Sequence, residues 1–237
     1  MKKLLFQVSF LMIFPVWLYA QDKGVKFETG LSWKQIQAKA KAENKYVFVD
    51  GYATWCGPCK LMDQNTYPSE KVGDVVNTAF ISVKAQMDST KADNAYTKSW
   101  YADARELMSR YNVTAFPSFL FFSTDGKLVH RGVGYLKADD FIKVVKSAAD
   151  PERQYYTLVE LYKKGKLGYD AMPYLSDETS RFKDDQLSMA IGMDYIRNYL
   201  YKLPDNELYT PEHIHFLAYH SYYLNWYFYC HIQKTFF

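Results

Sequence analysis

The segment Trp55-Cys56-Gly57-Pro58-Cys59-Lys60 constrains this chain more than any other. It follows Tyr46-Val47-Phe48-Val49, a continuous apolar, β-rich run that suits a buried central strand. Gly51-Tyr52-Ala53-Thr54 turns the chain, and a helix is expected from the cysteine pair towards Asn65, ending before Pro68. Two cysteines three residues apart close a loop too small to stabilise much through chain entropy. Their spacing points to sulfur chemistry rather than stapling. At a helix start, unpaired backbone N–H groups and the positive dipole end favour a thiolate. Such sites lower a cysteine pKa from about 8.5 to about 7 or below. Cys56 is therefore the expected attacking group, and Cys59, one turn on, is placed to resolve a mixed disulfide. Pro58 occupies an early helical position where its missing N–H costs little. Gly57 leaves room for a partner's backbone. The competing readings are a structural disulfide or half a zinc site. A zinc site needs further ligands at suitable spacing, and none lies near, so no metal and no cofactor is expected.

Around that segment the pattern alternates. Val25-Lys26-Phe27 reads as a short edge strand. Ser32 with Gln35 has the capping-box spacing, opening a helix that Asn44-Lys45 ends. A short helix is expected from Ser69 through Val76, and a strand at Phe80-Ile81-Ser82-Val83. Ala104, Leu107, Met108 and Tyr111 share a helical face. Ser118 to Phe122 is an apolar strand, Asp125-Gly126 a hairpin turn, and Leu128 to Arg131 the returning strand. Phe141, Ile142, Val145 and Ala148 mark a closing amphipathic helix. The order β-α-β-α-β-α-β-β-α implies an α/β fold, a mixed sheet with helices on both faces.

The strand Val47-Phe48-Val49-Asp50 followed by Trp55-Cys56-Gly57-Pro58-Cys59-Lys60 resembles the central strand and active-site loop of the thioredoxin family. Phe116-Pro117 stands where that family has its cis-proline loop, and Gly134 matches a glycine near the end of the last strand. The resemblance covers about residues 25–149. It implies a thioredoxin fold, a Cys56–Cys59 redox disulfide and exchange with protein thiols and disulfides. It further implies that Asp50 is a buried acid beneath Cys59, able to exchange protons near neutrality, and that Lys84 is its neighbour. Trp55, Gly57, Pro58, Phe116 and Pro117 would line the groove for a substrate's extended backbone. Three features depart from a minimal member. The stretch from Asp88 to Tyr111 is longer, Phe116 is bulkier than usual before the proline, and Thr66-Tyr67-Pro68-Ser69 is more similar to periplasmic domains that pass electrons between carriers. The Gly-Pro dipeptide and Asp50 favour a reductase. A disulfide isomerase and a binding module acting through its C-terminal helices are the other readings.

Lys2-Lys3, an apolar run from Leu4 to Leu18 and the small Ala20 have the layout of a cleaved secretory signal over residues 1–20. An uncleaved anchor would need an apolar stretch of roughly 20 residues. The expected location is the periplasm or the exterior, and the electrons would then come from a membrane-bound donor. With 29 basic against 26 acidic residues, no field exists to hold nucleic acid. Residues 21–150 are the expected thioredoxin-like domain. After Asp150-Pro151-Glu152 only helical patterns follow: Tyr155 to Tyr162 up to Gly165, Asp184 to Leu200, and one opened by Thr210-Pro211. The aromatic-dense end, with Cys230, reads as a packing tail or as the truncated, frame-shifted end of a longer gene. His213, His215, His220 and His231 match no metal motif and read as surface or packing histidines.

Overall fold

The computed structural model describes residues 23–220. The expected leader and the aromatic tail with Cys230 and His231 lie outside the described residues.

Helix α1 (Trp33–Ala42) opens with the capping box: Ser32 and Gln35 satisfy each other's backbone N–H. Strand β1 (Tyr46–Tyr52) is buried along its centre. After it come α2 (Gly57–Leu61), a π-helical turn (Met62–Thr66), α3 (Glu70–Ala79) and β2 (Phe80–Gln86). The longer middle stretch holds α4 (Ala95–Ser99) and α5 (Tyr101–Arg110), and β3 (Ser118–Phe122), β4 (Leu128–Val133) and α6 (Ala138–Ala149) complete the unit. The sheet order is β2-β1-β3-β4; β1 runs parallel to β2 and antiparallel to β3. This is the mixed, helix-covered sheet the alternating pattern implies.

Period-two burial explains the two layers. Val47 and Val49 enter one core with Ile36, Ala40, Leu120 and Phe122. Phe48 enters the other with Met62, Tyr67, Phe119, Phe121 and Phe141. Both faces are covered, so β1 reads as an unbroken apolar run until Asp50.

The N-terminal segment differs from expectation. Val25 to Phe27 forms no strand, only a single bridge from Phe27 to Ser82. The Lys26 N–H is taken instead by the Asn77 side chain, and Gly24, at φ 104°, lays its carbonyl against α3, where Asn77 donates to it. β2 extends to Gln86 because β1 offers partners as far as Tyr52.

Beyond Ala149 lie α7 (Tyr155–Lys163), α8 (Met172–Arg181), α9 (Asp185–Asn198) and the one-turn α10 (Asp205–Leu208). Residues 211–220 are helical, capped by the Thr210 hydroxyl, which accepts from the His213 N–H. These helices surround their own core of Leu158, Leu175, Ile191, Ile196 and Leu200. Helix α8 was not foreseen. Its N-terminal turn follows Gly168 through a 3-10 turn and carries Pro173, which the first turn of a helix tolerates. His213 bonds the Tyr195 hydroxyl, and His220 bonds Ser176 and the Phe216 carbonyl, so both are packing histidines. Gly192 permits this: a Cβ there would lie 2.4 Å from the His220 ring.

Candidate active site

Cys56 stands at the N-cap of α2, with β1 delivering it and Pro58 inside the first turn. The two sulfurs are bonded, with their Cα atoms 5.4 Å apart. The Cys59 N–H donates to Cys56 Sγ at 3.1 Å. On reduction the same donor and the helix dipole would face a Cys56 thiolate. Cys56 and Cys59 are 2% and 4% exposed and pack with Ala53, Tyr52 and Phe116. Trp55, at 71%, projects into solvent beside them, and Gly57 and Pro58 are exposed too. The Trp55 and Phe116 rings meet edge to face at 5.8 Å. Phe116–Pro117 is a cis bond. Pro117 is buried, and its carbonyl accepts the N–H of Gly134 at 2.8 Å. Gly134 has φ 84°, a conformation that favours glycine, which accounts for its presence at that strand end.

Asp50 and Lys84 are brought together by strand register, since the parallel β1–β2 pairing sets them opposite each other. Lys84 Nζ lies 3.7 Å from Asp50 Oδ2 and is also paired with Asp63, on the turn after Cys59. The ammonium stands over the rings of Tyr52, Phe27 and Tyr67 at 5.0, 5.7 and 5.8 Å. Cation–π attraction helps hold it there. Asp50 is 1% exposed. Burial pushes its carboxyl up to about 7; Lys84 opposes that rise and the Asp63 charge adds to it. A carboxyl titrating there can accept and release a proton at neutral pH.

Sequence reasoning missed several residues. Thr54, next to Trp55, donates its N–H to both Asp88 carboxylate oxygens at 3.1 Å, which ties the active-site turn to the longer middle segment. Asp93 anchors that segment through Gln86, Thr90 and Tyr101, and those hydrogen bonds hold its carboxyl well below the usual range. Asp63 falls four residues after Cys59, a spacing that could have flagged it. Tyr67 could not be found that way, because the π turn that carries it inward has no sequence signature. Among the described residues no cluster of His, Cys, Asp and Glu could hold a metal ion.

A family model described as a thioredoxin-like domain matches residues 33–149. The chain is 34% identical over 131 residues to the thiol:disulfide interchange protein DsbD of Colwellia psychrerythraea, an alignment covering 54% of this chain and 20% of that protein. It is 33% identical over 126 residues to the chloroplastic thioredoxin Y of Oryza sativa subsp. japonica, covering 53% of this chain and 62% of the relative. The chain thus spans less than two thirds of either relative's length. A solved structure of a putative disulphide-isomerase from Bacteroides thetaiotaomicron is 32% identical, with a TM-score of 0.45, covering 55% of this chain and 98% of that one.

Proposed function

With residues 33–149 placed in the thioredoxin-like family, we propose that the chain is an exported protein thiol:disulfide oxidoreductase working as a reductase. The observation that carries this is the Cys56–Cys59 disulfide at the start of α2, with a sulfur that already accepts a backbone N–H. In the reduced state the Cys56 thiolate attacks a partner's disulfide. A Cys56–S bond forms, the partner's S–S bond breaks, and one partner sulfur leaves as a thiolate and takes a proton from water. Asp50 then removes the Cys59 proton. The Cys59 thiolate attacks Cys56 Sγ, the Cys56–Cys59 bond forms, the bond between Cys56 and the partner breaks, and the second partner sulfur leaves as a thiolate that takes up the proton Asp50 released. Two electrons have passed to the partner. A membrane-bound donor of electrons must reduce the pair again.

Trp55, Gly57, Pro58, Phe116 and Pro117 form the docking groove in this reading. The exposure of Trp55 beside covered sulfurs supports it, since a partner reaching the disulfide meets that ring first. Export is supported by Lys2-Lys3 and the apolar run to Leu18. Residues 21–150 act as the redox unit, and the helices between Tyr155 and residue 220 are an appendage to it.

Redox equilibration against glutathione, read by alkylation and mass, tests the assignment. A midpoint near about −270 mV supports a reductase, and one near about −120 mV removes that direction. A pair that does not exchange with glutathione at all removes the function.

A further inference from the structure

Tyr67 lies in the core formed by Phe27, Phe48 and Phe141, at ring-centroid distances of 5.1, 6.3 and 5.6 Å, and is 4% exposed. A phenylalanine would satisfy that packing. A phenol adds a hydroxyl, whose burial costs free energy unless it is bonded. Among the described residues the Tyr67 hydroxyl is buried without a formed hydrogen bond, and so is Asp50 Oδ1. Both belong to groups gathered around Lys84 Nζ. One is a donor and the other, once ionised, an acceptor. Each is the complement the other lacks.

We propose that Tyr67 is a positioning residue for Asp50: its hydroxyl donates to Oδ1 of the ionised carboxylate, steadying the base that takes the proton from Cys59. This rests on the reading of Asp50 as that base. The groups facing Asp50 are Lys84 from β2, Asp63 from the π turn, Tyr52 from β1 and Tyr67 itself. Lys84 is shared with Asp63, so it supplies only part of the charge Asp50 needs. The phenol supplies a neutral donor whose hydroxyl has no hydrogen-bond partner among the described residues. Asp50 and Tyr67 already interact electrostatically, each raising or lowering the other's proton affinity in the sense a hydroxyl–carboxylate pair requires.

The test is carboxyl-carbon NMR titration of Asp50 in the oxidised protein, where no turnover is needed. Tyr67→Phe keeps the ring and removes the donor. The Asp50 midpoint is expected to rise by about half to one pH unit, and resolution of a Cys56 mixed disulfide at pH below that midpoint to slow about 3- to 10-fold. Site-specific 3-fluorotyrosine at position 67 makes the phenol a better donor and is expected to move the midpoint down. A purely structural tyrosine would not produce opposite shifts from the two changes. An unmoved midpoint in both, or a fall in Tyr67→Phe, overturns the proposal. If Tyr67→Phe does not fold, the fluorotyrosine protein alone decides. Failure of the disulfide to exchange with glutathione would remove the function while leaving this titration readable.

Discussion

The Nδ1 atom of His130, in β4, accepts the backbone N–H of Tyr155, the first residue of α7, at 3.0 Å. That bond joins the sheet to the C-terminal helices, with Gln154 donating to the Ala148 carbonyl beside it at 2.9 Å. A ring nitrogen can accept only while it carries no proton. His130 is 1% exposed; burial pushes its pKa down to about 4, and the Arg181 charge adds to that.

The first prediction concerns acid stability. A histidine depressed in the folded state binds its proton more readily when unfolded. Its contribution is complete above about 6.5 and is lost as pH falls from there to about 4. The loss should reach about 3 kcal/mol. Urea melts at pH 7.5 and 4.5, with exchange of the Tyr155 amide, measure it. His130→Gln should flatten this limb of the stability curve. An unchanged limb in that variant would assign the acid loss to other groups.

Asp50 gives the opposite sign. Its carboxyl is raised to about 7 by burial, so the folded state holds a proton the unfolded chain releases. Stability from this source is full below about 3.8 and is lost as pH rises through about 7. Asp50→Asn should therefore stabilise the fold at pH 8 by up to about 4 kcal/mol and hardly at all at pH 4. The same variant should slow release of mixed disulfides. Thermal melts across that range would contradict the assignment if the gain were independent of pH.

Helix α3 and the N-terminal segment meet without room to spare. A Cβ at Gly73 would lie 2.3 Å from the Gly24 carbonyl oxygen, which is backbone and cannot swing away. Gly73→Ala should cost about 1–3 kcal/mol despite the better helix propensity of alanine. The loss should disrupt the clasp in which Asn77 bonds both Lys26 N–H and the Gly24 carbonyl. A urea midpoint at or above that of the parent would show that the segment can move aside.

The two cysteines should separate by role. Cys56→Ser should abolish attack on partner disulfides. Cys59→Ala should retain attack and accumulate mixed disulfides, which cannot be resolved internally. Non-reducing gels of cell extracts followed by mass spectrometry read both. Equal trapping by the two variants would mean that either sulfur can attack.

Much of this protein was legible from local pattern. Ser32 and Gln35 announce α1, the apolar run before Asp50 announces β1, and the spacing of Cys56, Gly57, Pro58 and Cys59 announces a helix beginning at a sulfur. These signals depend on neighbours within one turn or one strand, so the chain carries them wherever it lies. The edge strand at Val25 failed because Asn77, about fifty residues away, claims the Lys26 N–H.

What only the tertiary structure decided is which distant groups share a space. Asp50 meets Lys84 through a parallel register; Lys84 is divided with Asp63, and the Tyr67 phenol reaches their pocket through a π turn. His130 is an unremarkable strand residue until α7 offers it an N–H. Proton affinity and hydrogen-bond partners depend on what surrounds a group in three dimensions, and that surrounding exists only once the sheet and helices have closed on it.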